Sequence, residues 1–377
     1  MIINPDILFV VNDFGFLRSH RLELLLSLEK QGKSIVVITN LHNSNEQELN
    51  KLRQKNISFI NFTFDRSTVN PFLNFLYLVR LFKLLLRIKP KKVSFISAKP
   101  VIFGGICSLF LNLDRSYFSI TGMGYAFIST SIKARLIKFI IFLIYRIIFK
   151  PKNATVIFQN NDDRDFFIKK KVVDFNKTVL IRGNGIDIKR FARISYPDNL
   201  VFLFASRLLV DKGIREFMHC ADDLATEGVS FKVAGPRDAT NPNNISDELY
   251  NSLLNNKNID YLGPIAHEKM QSVFNQSSVF VLPSYREGLP QVALEAASCE
   301  MPLILNNVTG CKDCLVEAES GFLTKKNDVD DLKEKMNFFI KDRSLVMKMG
   351  LKSRDFIISN FSQEKILPQF LNLYKNK

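Results

Sequence analysis

Strand-like and helix-like segments alternate along the whole of this chain, and halfway through the alternation starts again. "DILFVV" (6–11), "SIVVIT" (34–39), "ISFINF" (57–62), "KVSFIS" (92–97) and "ATVIFQ" (154–159) are short runs rich in β-branched and aromatic residues. Between the first two lies "SHRLELLLSLEKQG" (19–32), whose apolar spacing predicts a helix closing at Gly32. A second series follows: "LVFLFASRLL" (200–209), "VSFKVAG" (229–235), "IDYLG" (259–263), "SSVFVLPS" (277–284) and "MPLILNN" (301–307), with a helix over 213–228. Near-continuous apolar runs suit strands buried on both faces, so the pattern predicts parallel sheets covered by helices. The fold class expected is α/β, with two Rossmann-like domains in 377 residues. Their join falls near 188–198, giving domains of 1–190 and 191–359. A terminal helix over about 360–377 is expected to return to the first domain. The chain shows no repeat of solenoid period and no low-complexity tract.

Charge divides the chain in the same place. Residues 1–190 hold 30 Lys and Arg against 13 Asp and Glu, whereas residues 191–377 hold 22 against 24. A basic first half suits phosphates, anionic lipid or nucleic acid. The opening "MIINPDILFVVND" reads as a first strand, because it lacks a basic leader region and carries Asp6. No stretch reaches the roughly 18 uncharged apolar residues of a spanning helix. Five scattered cysteines point to free thiols in a reducing compartment. Cys311 and Cys314 make a single CxxC without a second pair or a nearby His, which favours a structural role over a metal or redox one.

Two segments of the basic half are amphipathic. In "SIKARLIKFIIFLIYRIIFK" (131–150), Arg135, Lys138, Arg146 and Lys150 fall within an arc of roughly 120° on a helix. In "PFLNFLYLVRLFKLLLRIKPKK" (71–92), Arg80, Lys83 and Arg87 cluster on one side. Such helices either cover a sheet with a solvated basic face or lie in a membrane interface with Lys and Arg at anionic headgroups. The width of the apolar arc favours the interface.

The chemistry-bearing residues concentrate in the second half. Arg207 and Lys212 in "SRLLVDKG" follow a strand and precede the helix opened by Gly213. That is the carboxyl edge of a parallel sheet, where open α/β folds bind ligands, and two cations there suit a diphosphate. "SYREGLPQVALEAAS" (284–298) follows another strand and holds Glu287 and Glu295 around Gly288-Leu289-Pro290. Pro290 suits the first helical turn, and the N–H groups near it can face an anion or a sugar oxygen. Carboxylates beside phosphates need hydroxyl partners or cations. Asp162, Asp163 and Asp165 in "NDDRD" read as a surface turn rather than a metal site. No GxGxxG is present, so hydride transfer has no support.

"SRLLVDKGI", "YLGPI" and "SYREGLPQVALEAASCEMPLI" together resemble glycosyltransferase family 4, the retaining GT-B enzymes with two glutamates eight positions apart. "NDFGFLRSHRLELLLSL", "SAKPVIFGGI", "TGMGYAFI", "VIFQNNDDRDFF" and "GNGIDIKRF" resemble its bacterial branch of lipid-linked oligosaccharide, O-antigen and capsule transferases. The resemblance implies two domains facing each other across a cleft. It implies that Arg207 and Lys212 bind the donor diphosphate, that Glu287 contacts the hexose with backbone at Gly288, Leu289 and Pro290, and that Glu295 holds the ribose. Glu287, Arg207 and Lys212 would be the catalytic set. The base would be read near Gly263, Pro264 and Ile265, and Gly15 would approach the donor from the first domain. His20, Lys99, Gly122 and Gly124 are the acceptor-side candidates. The first loop departs from the Gly-Gly-rich form of many relatives, since Gly15 stands alone.

The same resemblance implies front-face transfer without a metal or other cofactor, with UDP likelier than GDP in the nucleotide-sugar donor. The acceptor would be a saccharide on polyprenyl diphosphate. The enzyme would sit in the cytoplasm, bound peripherally to the inner face of the cytoplasmic membrane through 71–92 and 131–150. A GT-B epimerase would differ by consuming nucleotide sugar without an acceptor. A phosphorylase of this fold would need a cofactor lysine and a longer chain. Nucleic acid is disfavoured as a partner, because the basic segments are rich in Ile and Leu rather than in interleaved stacking aromatics.

Overall fold

A computed structural model describes residues 4–42, 44, 46–64, 70–123, 132–238, 241 and 243–375. The chain forms two compact units, Met1–Arg182 with Leu367–Lys377, and Gly183–Ile366. The division therefore falls eight residues before the expected 190/191 boundary, and the last helix is shared between the units at Ile366/Leu367.

The first unit is built on a seven-stranded parallel sheet: β1 (Ile7–Asp13), β2 (Ile35–Asn40), β3 (Ile57–Asn61), β4 (Lys92–Ile96), β5 (Arg115–Ile120), β6 (Ala154–Phe158) and β7 (Thr178–Leu180). Their spatial order is β3-β2-β1-β4-β5-β6-β7, so the winding reverses between β1 and β4. Its helices are α1 (Phe14–His20), α2 (Leu22–Lys30), α3 (Glu46–Arg53), α4 (Pro71–Ile88), α5 (Ala98–Ser108), α6 (Ile132–Ile148) and α7 (Asn161–Lys169).

The expected helix over 19–32 is two helices. Asp13 caps α1 early, its carboxylate accepting from the Phe16 N–H at 2.7 Å, so the helix starts directly off the strand. Arg21, at φ −134°, then breaks the run. It is buried, and its guanidinium lies 4.6 Å from the centre of the Phe370 ring. The aspartates of "NDDRD" are not a surface turn either. They lie in α7, where the buried Asn160 caps the helix by accepting from the Asp163 N–H at 2.7 Å.

The second unit has a six-stranded parallel sheet: β8 (Leu200–Ala205), β9 (Val229–Ala234), β10 (Ile259–Gly263), β11 (Val279–Leu282), β12 (Leu303–Asn306) and β13 (Gly321–Thr324). The order is β10-β9-β8-β11-β12-β13, with the reversal between β8 and β11. Around it lie α8 (Ile214–Leu224), α9 (Asp247–Leu254), α10 (Met270–Asn275), α11 (Gln291–Ser298), α12 (Val329–Lys341) and α13 (Ser344–Phe361). Every residue of β8 and β11 is buried, as two-sided helix cover requires. Each unit encloses its own apolar core.

The terminal helix breaks at Ser362 into α13 and α14 (Gln363–Lys375). The end of α14 packs on the first sheet. The buried Tyr374 donates its hydroxyl to Ser94 Oγ at 2.8 Å, and Tyr117 donates to the Leu373 carbonyl at 2.8 Å. The Lys92 ammonium donates to the Tyr374 carbonyl at 2.8 Å. Among the described residues no helix is long and apolar enough to cross a membrane.

Candidate active site

Open parallel sheets leave a crevice beyond the carboxyl ends of the strands where the winding reverses. In the second unit that point lies between β8 and β11, and the loops leaving these two strands carry the residues singled out above. After β8 the chain makes a 3-10 turn over Val210–Lys212 and enters α8 through Gly213 at φ +78°. A Cβ on Gly213 would stand 2.3 Å from the Pro283 carbonyl oxygen, so only glycine lets this loop pass so close to the end of β11. The Tyr285 N–H donates to the Asp211 carbonyl at 2.9 Å and ties the two loops together.

This close passage brings Lys212 to Glu287 across 75 residues of sequence. The Lys212 ammonium donates to Glu287 Oε1 at 2.5 Å, and the Ser284 hydroxyl donates to the same oxygen at 2.8 Å. Both charged side chains are largely buried, at 13% and 15% exposure. The backbone of Glu287 is held from the β12 side. Its N–H donates to the Thr309 carbonyl at 3.1 Å, and a Cβ on Gly310 would lie 2.5 Å from the Glu287 carbonyl oxygen. Tyr285 donates its hydroxyl to Glu216 of α8 at 2.5 Å. Burial, and then this carboxylate, raise the phenol well above its usual range and keep it protonated.

Glu295 lies in α11 and is 2% exposed. His267 Nε2 sits 2.9 Å from Glu295 Oε1, and the Gln291 amide donates to that oxygen at 3.3 Å. The Gln291 carbonyl oxygen accepts from Asn184 at 3.3 Å. Arg190 donates to the His267 carbonyl at 2.7 Å and anchors the imidazole's own backbone. The two glutamates thus share a design. In each, Oε1 is held by protein donors while Oε2 has no hydrogen-bond partner among the described residues. A carboxylate fixed through one oxygen offers the other to a hydroxyl donor.

Arg207 follows β8 but points elsewhere in its pairing: it donates to Asp238 at 3.1 Å and is 45% exposed. Gly288, Leu289 and Pro290 are all buried. Pro290 stands one position before the helix as its N-cap, and its carbonyl accepts from the Ala293 N–H at 3.0 Å. It is therefore not in the first helical turn as expected. Gly263 closes β10, where its carbonyl accepts from the Gly235 N–H at 2.8 Å, and Ile265 packs half-buried on the core.

The first unit holds the remaining candidates. Gly15 is the second residue of α1 rather than a loop glycine, because the Asp13 cap winds the chain into a helix at once. His20 is held within that helix, stacked on Phe16 at 4.1 Å with Nδ1 2.6 Å from Ser19 Oγ. Lys99 is the second residue of α5, and Gly122 follows β5. Gly15 and Lys99 flank the β1/β4 reversal of their sheet. Gly124 lies outside the described residues.

Among the described residues no group of three His, Cys, Asp or Glu side chains is placed to hold a metal ion. Cys311 and Cys314 are buried, and burial pushes both thiols well above their usual range. Cys314 donates to the Gly310 carbonyl at 3.3 Å, so the CxxC supports the turn behind Glu287. Sequence reasoning passed over His267, Ser284 and Gly310. His267 could have been found as a polar residue two positions beyond the Gly263–Ile265 segment. Gly310 could have been found as a glycine following a strand at the carboxyl edge.

Two Rossmann-like units, with cations and carboxylates gathered at a sheet's point of reversal, define the GT-B class of sugar-transferring enzymes. The solved structure of the Anabaena protein HepE in complex with UDP and glucose has this fold, at a TM-score of 0.77 and 15% identity over 99% of this chain and all of that one. One family model, described as glycosyl transferases group 1, matches residues 186–356, and a second, glycosyl transferase 4-like, matches residues 6–161. Between them the two models span most of the chain, which is a glycosyltransferase. It is 26% identical, over 94% of both chains, to the N,N'-diacetylbacillosaminyl-diphospho-undecaprenol alpha-1,3-N-acetylgalactosaminyltransferase of Campylobacter jejuni. It is 29% identical, over 79% of this chain and 78% of the other, to the UDP-Gal:alpha-D-GlcNAc-diphosphoundecaprenol alpha-1,3-galactosyltransferase of Escherichia coli.

Proposed function

We propose that this glycosyltransferase moves a hexose or N-acetylhexosamine from a UDP-sugar to a saccharide carried on polyprenyl diphosphate, in the synthesis of a bacterial surface polysaccharide such as O-antigen or capsule. The observation that carries the reading is the matched pair of carboxylates, each fixed through Oε1 with Oε2 left for a hydroxyl. Glu287 is the hexose clamp and Glu295 the ribose clamp. The names of the Campylobacter and Escherichia relatives supply the acceptor class, and the UDP-bound neighbour supports the nucleotide.

Transfer retains configuration and proceeds on one face of the sugar. The bond from the anomeric carbon to the diphosphate oxygen breaks, and the acceptor oxygen bonds to that carbon. The acceptor's proton passes to the departing diphosphate. Lys212 and Arg207 stabilise the charge that develops on the diphosphate, which needs no metal ion. Lys212 has a second task, since its hydrogen bond to Oε1 holds the Glu287 side chain in place.

The enzyme works in the cytoplasm at the inner face of the membrane, with α6 as its contact. Ile132, Leu136, Phe139, Ile140, Leu143 and Ile147 form an exposed apolar stripe at helical spacing, with Phe139 58% exposed. Arg135 flanks the stripe. Lys138 and Arg146 do less for headgroups than the helical arc suggests. Lys138 lies against the rings of Phe142 and Phe166, and Arg146 donates to the carbonyls of Lys170 and Lys171.

A panel of nucleotide sugars, read by the shift in melting temperature and then by transfer to lipid-linked and to soluble acceptors, tests the reading. A UDP-sugar should give the largest shift, and the lipid-linked acceptor the faster transfer. Equal rates on both acceptors would remove the lipid-linked substrate from the proposal.

A further inference from the structure

A buried carboxylate must be met by donors, and Glu295, 2% exposed, meets its nearest one in His267. His267 opens a 3-10 turn, His267–Lys269, just beyond β10, and its Nε2 lies 2.9 Å from Glu295 Oε1. The other ring nitrogen, Nδ1, faces the Arg190 guanidinium at 3.4 Å, and the same guanidinium nitrogen donates to the His267 carbonyl at 2.7 Å. A guanidinium has hydrogens to give and no lone pair to offer, so Nδ1 is the acceptor of the two. The ring hydrogen therefore sits on Nε2, aimed at the carboxylate. Arg190, His267 and Glu295 form a line in which every hydrogen bond points the same way. It ends at Glu295 Oε2, which has no hydrogen-bond partner among the described residues.

The line is held still from behind. The Arg190 N–H donates to the Asp187 carboxylate at 3.0 Å, and its guanidinium lies 4.8 Å from the centre of the Phe191 ring. That buried ring also packs against the imidazole, 5.7 Å between centres. From α13, Arg354 donates to the carbonyls of Ile188 and Phe191, both at 3.1 Å. Gln291 already gives Glu295 Oε1 a second donor at 3.3 Å, so the imidazole is more than a partner for a buried charge. Two donors converging on one oxygen resist rotation of the carboxylate and leave Oε2 as the place for an incoming hydroxyl.

We propose that His267 is a positioning residue that makes the donor site selective for ribose. Oriented by Arg190, it pins Glu295 through Oε1 so that Oε2 meets a ribose hydroxyl. Resting on Glu295 as the ribose clamp assigned above, His267 supplies the aim of that clamp. A sugar without the hydroxyls would leave Oε2 desolvated and facing no donor, which weakens binding.

The test titrates the full chain with UDP and with 2′,3′-dideoxy-UDP. The wild type should bind UDP at least about ten-fold more tightly. In His267→Ala the affinity for UDP should fall by about ten-fold and that for the dideoxy nucleotide by less than about three-fold, so that most of the preference is lost. His267→Gln places an amide N–H where Nε2 stands and should recover most of the preference. Arg190→Gln keeps a donor for the His267 carbonyl, removes the charge and should lose part of the preference. In turnover the His267→Ala loss should fall on donor KM rather than on kcat. An equal loss for both nucleotides in His267→Ala, or no loss for either, overturns the proposal and leaves the histidine a packing residue. Should His267→Ala fail to fold, Arg190→Gln is read in the same titrations, and an unchanged preference there overturns it. Glu295→Gln separates the two levels. If it loses the preference while His267→Ala keeps it, the ribose clamp stands and the positioning role falls. If Glu295→Gln itself keeps the preference, both fall.

Discussion

The two units treat their charges in opposite ways. Around the β8/β11 reversal the cations have partners: Lys212 with Glu287, Arg207 with Asp238, and Arg190 with the His267 carbonyl. On α4, Arg80, Lys83 and Arg87 face a cavity with no acid in reach among the described residues. Paired charges are held still, and a group that must meet a reacting atom gains from being held still. Unpaired charges exert their field outward and suit a partner that arrives with its own charge. The difference separates charges fixed at a sheet's edge from charges left on a solvated helix face.

The largest expected effect comes from breaking the most buried of these pairs. Lys212→Ala removes the ammonium proposed to face the leaving diphosphate and leaves Glu287 without its counter-charge. Turnover should fall by about a hundred-fold or more, with a smaller change in donor KM. A double-mutant cycle with Glu287→Gln sharpens the comparison, since the losses should be well short of additive if the two act as a unit. Full activity in Lys212→Ala would mean that the pair is only structural.

How far such pairs were visible beforehand depends on their range. The strands β8 and β11 stand out in the sequence because "LVFLFA" and "VFVL" are apolar throughout and buried on both faces. β5, "RSYFSI", was missed because Ser116 and Ser119 interrupt the run, although both are buried. β7, of three residues, is too short for periodicity to register, and β13, "GFLT", has only two large apolar residues between Gly321 and Thr324. The loops carrying Lys212 and Glu287 could be placed at a sheet edge from local pattern alone. Their ion pair could not, because it depends on β8 and β11 being neighbours, a fact of strand order. His267 was hidden for the same reason: its partner Glu295 is 28 positions away.

The next effect in size concerns that second pair. Glu295→Gln keeps the shape of the side chain and removes the charge that a ribose hydroxyl would meet. Donor KM, or the dissociation constant for UDP, should rise by about ten-fold while turnover at saturation changes little. If turnover falls as it does in Lys212→Ala, Glu295 acts in the chemical step and the two glutamates do not divide the work as proposed.

On the other unit, Leu136→Ser/Phe139→Ser/Leu143→Ser removes the middle of the α6 stripe without touching a buried side chain. Binding to vesicles containing phosphatidylglycerol should weaken by about ten-fold or more, because each large side chain withdrawn from water contributes about 1.5–3 kcal/mol when fully buried. The donor dissociation constant should stay within error. A change in donor affinity together with an unchanged vesicle affinity would reverse the division of labour between the units.

The smallest effect tests whether every pair in the second unit matters. Arg207–Asp238 is much more exposed than Lys212–Glu287, and exposed pairs are worth about 0–1 kcal/mol. Asp238→Asn should therefore leave the melting temperature almost unchanged. It also frees Arg207, whose guanidinium would otherwise be shared between the acid and the donor diphosphate. Donor affinity should rise slightly, by less than about five-fold, and the gain should shrink as salt is added. A loss of affinity instead would mean that Asp238 aims Arg207 at the diphosphate, as Glu287 is aimed by Lys212. The exposed pair would then belong with the organised site and not with the solvated surface.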